Sequence, residues 1–247
     1  MTDAREPAVG SGADHTPGVV RPFESSALYA KLFFADVVPA ADDEARRSAN
    51  AQALLFEEAI PAFHRWIQDG PLLSDDEFAV DVANYAHLHN GPGVFLVTAK
   101  SHVGLDATGG APGLRYARKR GLTGSPRARI SAVLSRLFAF AERFQTDPGF
   151  AAAVGHRGVR MDRLEFGIID RLRAPCEQIT LEVVAPPLSA ILRSLTGQTL
   201  ELAIEPDGRR PFSVCAQWHE PVPLATLQRR LNDVASRDDE EAPWAPT

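Results

Sequence analysis

Apolar positions change their spacing several times along this chain, and each change marks an element. "ALYAKLFFAD" reads as a strand with Leu32 and Phe34 on one face. From Asp42 to Gly70 the period becomes helical: Leu55, Ala59, Phe63, Trp66 and Ile67 fall on one stripe, and Gly70 is placed to end it. A proline ring at position 61 clashes with the carbonyl of residue 57, so two helical pieces are expected, with Pro61 in the first turn of the second. "EFAVDVANYAH" and "GVFLVTAKSHV" are β-rich runs on either side of Asn90-Gly91, a turn pair that accepts positive backbone angles, and together they predict a hairpin.

The best-bounded helix follows. Ser125 is a natural N-cap, Pro126 suits the first helical position and Pro148 forbids continuation, while Ile130, Leu134, Leu137, Phe138, Ala141 and Phe144 form one apolar stripe. "RLEFGIID" returns to alternation, with Leu164, Phe166 and Ile168 on one face. Beyond Pro186-Pro187 a short helix carries Leu188, Ile191, Leu192 and Leu195 and closes at Gly197. "TLELAIE" and "PFSVCAQW" flank Asp207-Gly208 as a second hairpin, and a last helix is expected over 222–235.

This order predicts an α+β fold: a mixed or largely antiparallel sheet with helices on one face. Strand, helix and hairpin occur twice, which suggests two βαββ halves, 25–110 and 160–220, joined by the helix at 125–147. Residues 1–24 lack apolar periodicity and 237–247 are acidic and proline-broken, so both ends read as disordered tails around a single domain at 25–236.

Composition narrows the classes. A chain of 247 residues with 45% hydrophobic content can bury a sizeable core. Its formal charge of -6 disfavours nucleic acid as the partner. Two cysteines, Cys176 and Cys215, cannot form a disulfide framework and are expected as free thiols. No export signal is read at the N-terminus, and no apolar run approaches the ~20 residues of a membrane span, so a cytoplasmic protein without membrane association is expected.

Candidate chemistry is sparse. Glycines at 91 and 93 stand between strands, and no Gly-Lys-Ser/Thr follows, so a phosphate loop is excluded. His87 and His89 would share one strand face ~6.6 Å apart, near enough for one metal ion, yet a third ligand is missing. A two-residue turn pairs Asp81 with Lys100, and a four-residue loop pairs it with His102, so neither register supplies one. No serine sits in a nucleophile elbow, and neither cysteine has a histidine at diagnostic spacing. His64 reads as a partly buried helix residue rather than a general base, and Asp170-Arg171 at a strand end as an ion pair anchoring the next loop.

Charge is distributed unevenly. Residues 107–141 contain no acid, while Arg115, Arg118, Lys119, Arg120, Arg127, Arg129 and Arg136 are all basic. Gly121, Thr123, Gly124 and Ser125 lie among them, immediately before the capped helix, so amides, a hydroxyl and the helix dipole could meet an anion there. The leading expectation is therefore a non-catalytic binding or accessory protein. Its ligand site comprises Arg115, Arg118, Lys119, Arg120, Thr123, Gly124 and Ser125, and takes an acidic protein or a phosphorylated small ligand without a cofactor. The alternative is a metal-assisted hydrolase using His87 and His89 with an acid such as Asp170.

Overall fold

The computed structural model describes residues 20–35, 42–71, 77–88, 91–154, 158–204 and 210–241. Eight strands form one antiparallel sheet: β1 (Leu28–Phe34), β2 (Ala79–Asn84), β3 (Pro92–Thr98), β4 (Ser101–Asp106), β5 (Gly113–Arg118), β6 (Val159–Ile168), β7 (Glu201–Ala203) and β8 (Phe212–Gln217). Their spatial order is β2-β3-β4-β5-β1-β6-β8-β7. The helices are α1 (Asp42–Gln68), α2 (Pro126–Thr146), α3 (Pro148–Val154), α4 (Gln178–Thr196) and α5 (Leu224–Glu241). The class is α+β, as the periodicity predicts.

The two parts of the chain fill opposite sides of this one sheet unequally, β1–β5 with five strands and β6–β8 with three, so the first is longer than the expected βαββ unit. From β1 the chain passes through α1 to the far edge at β2 and returns by a meander that lays β5 beside β1. From β6 it passes through α4 to the other edge at β7 and returns to lay β8 beside β6. The strands β1 and β6 then pair antiparallel at the centre.

Alternation assigns the two faces. Leu28, Ala30, Leu32 and Phe34 of β1, with Leu164, Phe166 and Ile168 of β6, join the core beneath the helices. Alpha helix α2 is built as its sequence requires: Pro126 opens it, Ser125 accepts from the Ala128 amide at 3.2 Å, and its whole predicted stripe is buried. A Ser125→Ala substitution is expected to cost about 1 kcal/mol in urea unfolding, the usual loss when an N-cap oxygen is removed.

Three expectations are corrected. α1 continues through Pro61 rather than breaking, because the ring lies on the exposed side and Glu57, whose carbonyl loses its partner, is exposed and open to hydration. Ala59, Ala62 and Phe63 meanwhile anchor both sides of the proline in the core. Likewise α4 starts at Gln178 and includes Pro186 and Pro187, which lie off its buried stripe of Val184, Leu188, Ile191 and Leu195. Gly197 then ends it at φ 72, where a left-handed residue is needed. The run "GVFLVTAKSHV" is two strands, β3 and β4, turning at Ala99-Lys100, and β5 then pairs with β4.

Other differences are smaller. The β2–β3 connection is longer than a two- or four-residue turn: Asp81 pairs with Val97 and Asn84 with Val94. Asn90, Asp207 and Gly208 lie outside the described residues. Arg21 to Glu24, read as tail, include a 3-10 turn at Pro22–Glu24, and α5 runs on to Glu241. By length and composition α4 is one helix that could cross a bilayer, yet its buried stripe belongs to the core.

Candidate functional site on the open face of the sheet

The sheet face away from the helices carries its own buried layer. Tyr29, Phe33, Phe95 and Ala117 are 4–7% exposed and lie outside the main core. Register brings charged residues into one row here: Arg115 of β5 stands opposite Lys31 of β1, and Lys31 opposite Glu165 of β6. Lys31 is 2% exposed and donates to Asp106 Oδ2 at 2.6 Å. Arg115 Nη1 lies 3.7 Å from the other oxygen of Asp106, close enough for charge but too far for a hydrogen bond.

Aromatic rings hold the long side chains flat. The Arg115 guanidinium lies 4.1 Å from the Tyr29 ring centroid, and that of Arg163 lies 4.4 Å from Phe33. Tyr29 in turn covers Gly167, where any Cβ would run into the phenol ring. Its hydroxyl donates to Glu165 at 2.6 Å. Burial, reinforced by the Glu165 charge, pushes the phenol far above its ordinary range and keeps it a donor. Arg163 Nε donates to Cys215 Sγ at 2.9 Å, and neither Cys176 nor Cys215 is in a disulfide.

Electrostatics differ across this face. Burial pushes the Asp106 carboxyl up, but the Lys31 and Arg115 charges outweigh it and hold the group below the ordinary carboxylate value. His102 is shifted down, first by burial and then by the Lys119 and Arg115 charges, so its imidazole is neutral at pH 7. Lys119 Nζ sits 3.2 Å from His102 Nε2 and so occupies that nitrogen as the acceptor.

A pocket of about 320 Å³ opens here, lined by Ala83, Tyr85, Pro92, Phe95, Val97, His102, Arg115, Ala117 and Ile169. Small side chains at Ala83 and Ala117 leave the room. Among the described residues Arg115 is its only charged lining residue. Its side chain is 21% exposed, it makes no hydrogen bond to any described residue, and its Nε is buried without a partner.

The expected basic site is divided by this architecture. Alternation sends Arg115 to the open face but Arg118 to the helix side, where its Nη1 lies 3.9 Å from the buried Glu77. Arg136 reaches Glu77 at the same distance, and Ser101 and Tyr116 hydroxyls donate to that carboxylate. Lys119 and Arg120 donate to the carbonyls of Thr98 and Ala99. Arg129 donates to Gly124 and Phe23 carbonyls, the Ser125 oxygen serves its own helix, and Thr123 and Gly124 are exposed. Acids absent from 107–141 are thus supplied from elsewhere in the chain.

The histidine reading is displaced too. β2 ends at Asn84, so His87 lies exposed in the following turn instead of on a strand, and His89 is outside the described residues. Among the described residues no group of three His, Cys, Asp or Glu side chains could hold a metal. Asp170 pairs with Arg173 at 2.7 Å and accepts from the Leu172 and Arg173 amides. His64, expected to be partly buried, is exposed on α1.

Sequence reading missed Tyr29, Lys31, Asp106 and Glu165. One signal was available: a lysine in the middle of the apolar run "LYAKLFF" must find a counter-charge if that strand is central.

An α+β protein with a one-sided helical layer and a cationic pocket on its open sheet face is the class defined here. Comparison of the chain with family models, curated proteins and solved structures finds no match in any of the three.

Proposed function

We propose that this is a non-catalytic binding protein that takes a small organic monoanion in the open-face pocket, with Arg115 as the anion anchor. The observation that carries this reading is Arg115 itself. It is mostly buried, stacked on Tyr29, free of hydrogen bonds to the described residues, and set in an otherwise uncharged pocket wall. A guanidinium held this way offers a pre-oriented fork that a carboxylate can accept bidentately.

Arg115 sets the valence, as the one cation on the pocket lining among the described residues. Lys31 takes the hydrogen bond of the Asp106 carboxylate that the two cations share, which leaves the Arg115 donors for a ligand. A neutral His102 adds a hydrogen-bonding wall without adding charge. The reading keeps the binding role and moves the anion from the 118–125 segment to Arg115; cytoplasmic placement belongs to the same proposal and rests on the sequence.

Titration with hexanoate, followed by amide NMR, tests it. Shifts are expected at Val97, His102 and Arg115, and are expected to vanish in an Arg115→Met variant that retains its far-UV circular dichroism. If neither hexanoate nor benzoate perturbs these amides at millimolar concentration, the reading is wrong.

A further inference from the structure

We infer that the ligand is a single-chain amphiphile, a medium-chain aliphatic carboxylate, whose chain runs from Arg115 across Phe95 and Val97 and leaves between Tyr85 and Ile169. The inference rests on the anion site proposed above and adds what the rest of the pocket selects.

Beyond Arg115 and His102 the lining is apolar: Ala83, Pro92, Phe95, Val97, Ala117 and Ile169, with Tyr85 offering a ring. These walls come from opposite borders. Tyr85 follows the edge strand β2, whereas Ile169 follows the central strand β6, and both remain solvent-exposed, at 44% and 37%. Large apolar side chains are normally withdrawn from water, so two of them at the rim of one pocket give a chain leaving it an apolar path. Leu88, three residues beyond Tyr85, and Leu172, three residues beyond Ile169, are further exposed leucines, the latter at 95%.

Polar recognition is confined to one end. A sugar or nucleotide would need several hydrogen-bonding groups along its length, but among the described residues the lining side chains beyond Arg115 and His102 supply none except the Tyr85 hydroxyl. A dianion such as a phosphate monoester would need a second cation, yet Lys31 is engaged with Asp106 and Lys119 with Thr98 and His102. One carboxylate on an apolar chain satisfies both restrictions.

Chain length provides the test. Affinities of butyrate, hexanoate, octanoate and decanoate, measured by calorimetry below their micelle concentrations, are expected to rise by about fourfold per methylene until the pocket is filled. Octanol should bind at least tenfold more weakly than octanoate, because it lacks the charge for Arg115. Ile169→Ser should flatten the gain between octanoate and decanoate while leaving butyrate unchanged. Val97→Phe, which occupies the pocket and leaves every charge in place, should weaken octanoate at least tenfold.

Equal affinities across the series, with binding still lost in Arg115→Met, would overturn the chain and leave the anion site standing. No binding by any member would overturn both. Octanol binding as tightly as octanoate would remove the anion site, and with it the carboxylate assignment.

Discussion

Replacing Lys31 by methionine is expected to destabilise the fold by about 3–5 kcal/mol, the cost of leaving a buried charge without its partner. Lys31 and Asp106 side chains are 2% and 3% exposed and meet at 2.6 Å across 75 residues of sequence. With the ammonium gone, Asp106 keeps, among the described residues, only Thr108 as a side-chain hydrogen-bond donor and Arg115 at 3.7 Å. The double variant Lys31→Met, Asp106→Leu should recover much of the loss, since it removes both charges rather than stranding one. Urea unfolding at pH 7 measures both.

Acidification sharpens this expectation. The Asp106 pKa is depressed in the fold, so its stabilisation is complete above the ordinary carboxylate value near 3.9 and is lost as pH falls through the lowered folded value. In Lys31→Met burial is opposed only by the more distant Arg115 charge and the Thr108 hydrogen bond, so protonation of Asp106 becomes a relief instead of a loss. The gap in stability between the two proteins should therefore narrow from pH 7 to pH 4; a constant gap would show that Asp106 does not titrate with Lys31.

The second large effect is expected at Trp66, where substitution by alanine should cost about 3–5 kcal/mol. Its indole packs against Phe63, Phe140 and Phe150 with ring centroids 5.3–6.0 Å apart, joining α1, α2 and α3. It also donates to Asp147 Oδ2 at 2.8 Å. Asp147 in turn accepts from the Gly149 and Phe150 amides at the start of α3 and from Arg65. Trp66→Phe keeps an aromatic ring and much of the packing while removing the indole donor, so about 1–3 kcal/mol is expected there. Equal losses in the two variants would assign the whole effect to the hydrogen bond.

Local rules made much of the fold legible. Ser125, Pro126 and Pro148 delimit α2 because caps and proline constraints act within one helical turn. The period of two in "LEFGIID" identifies a half-buried strand for a similarly local reason. Pro61, Pro186 and Pro187 were misleading because their cost depends on the surface they face. Where the freed carbonyl is open to water and flanking residues sit in the core, the helix persists through the proline.

The site was far less legible. The basic run 115–120 reads as one patch in sequence, but strand alternation divides it, and its counter-charges arrive from Glu77 and Asp106 through pairing that sequence spacing does not reveal. His102 drew notice only as a metal ligand that failed to appear. What places it in a pocket with Arg115 is the β4–β5 register, in which His102 stands opposite Ala117 and Gly104 opposite Arg115.

By itself, then, the sequence determined the α+β class, most element positions and the presence of excess local positive charge, because propensity, capping and hydrophobic period are short-range. Tertiary structure decided which charges are buried together, which arginine lacks a hydrogen-bond partner among the described residues, and where a cavity remains. Those outcomes depend on strand order and register, which join residues far apart in sequence through the free energy of the assembled sheet.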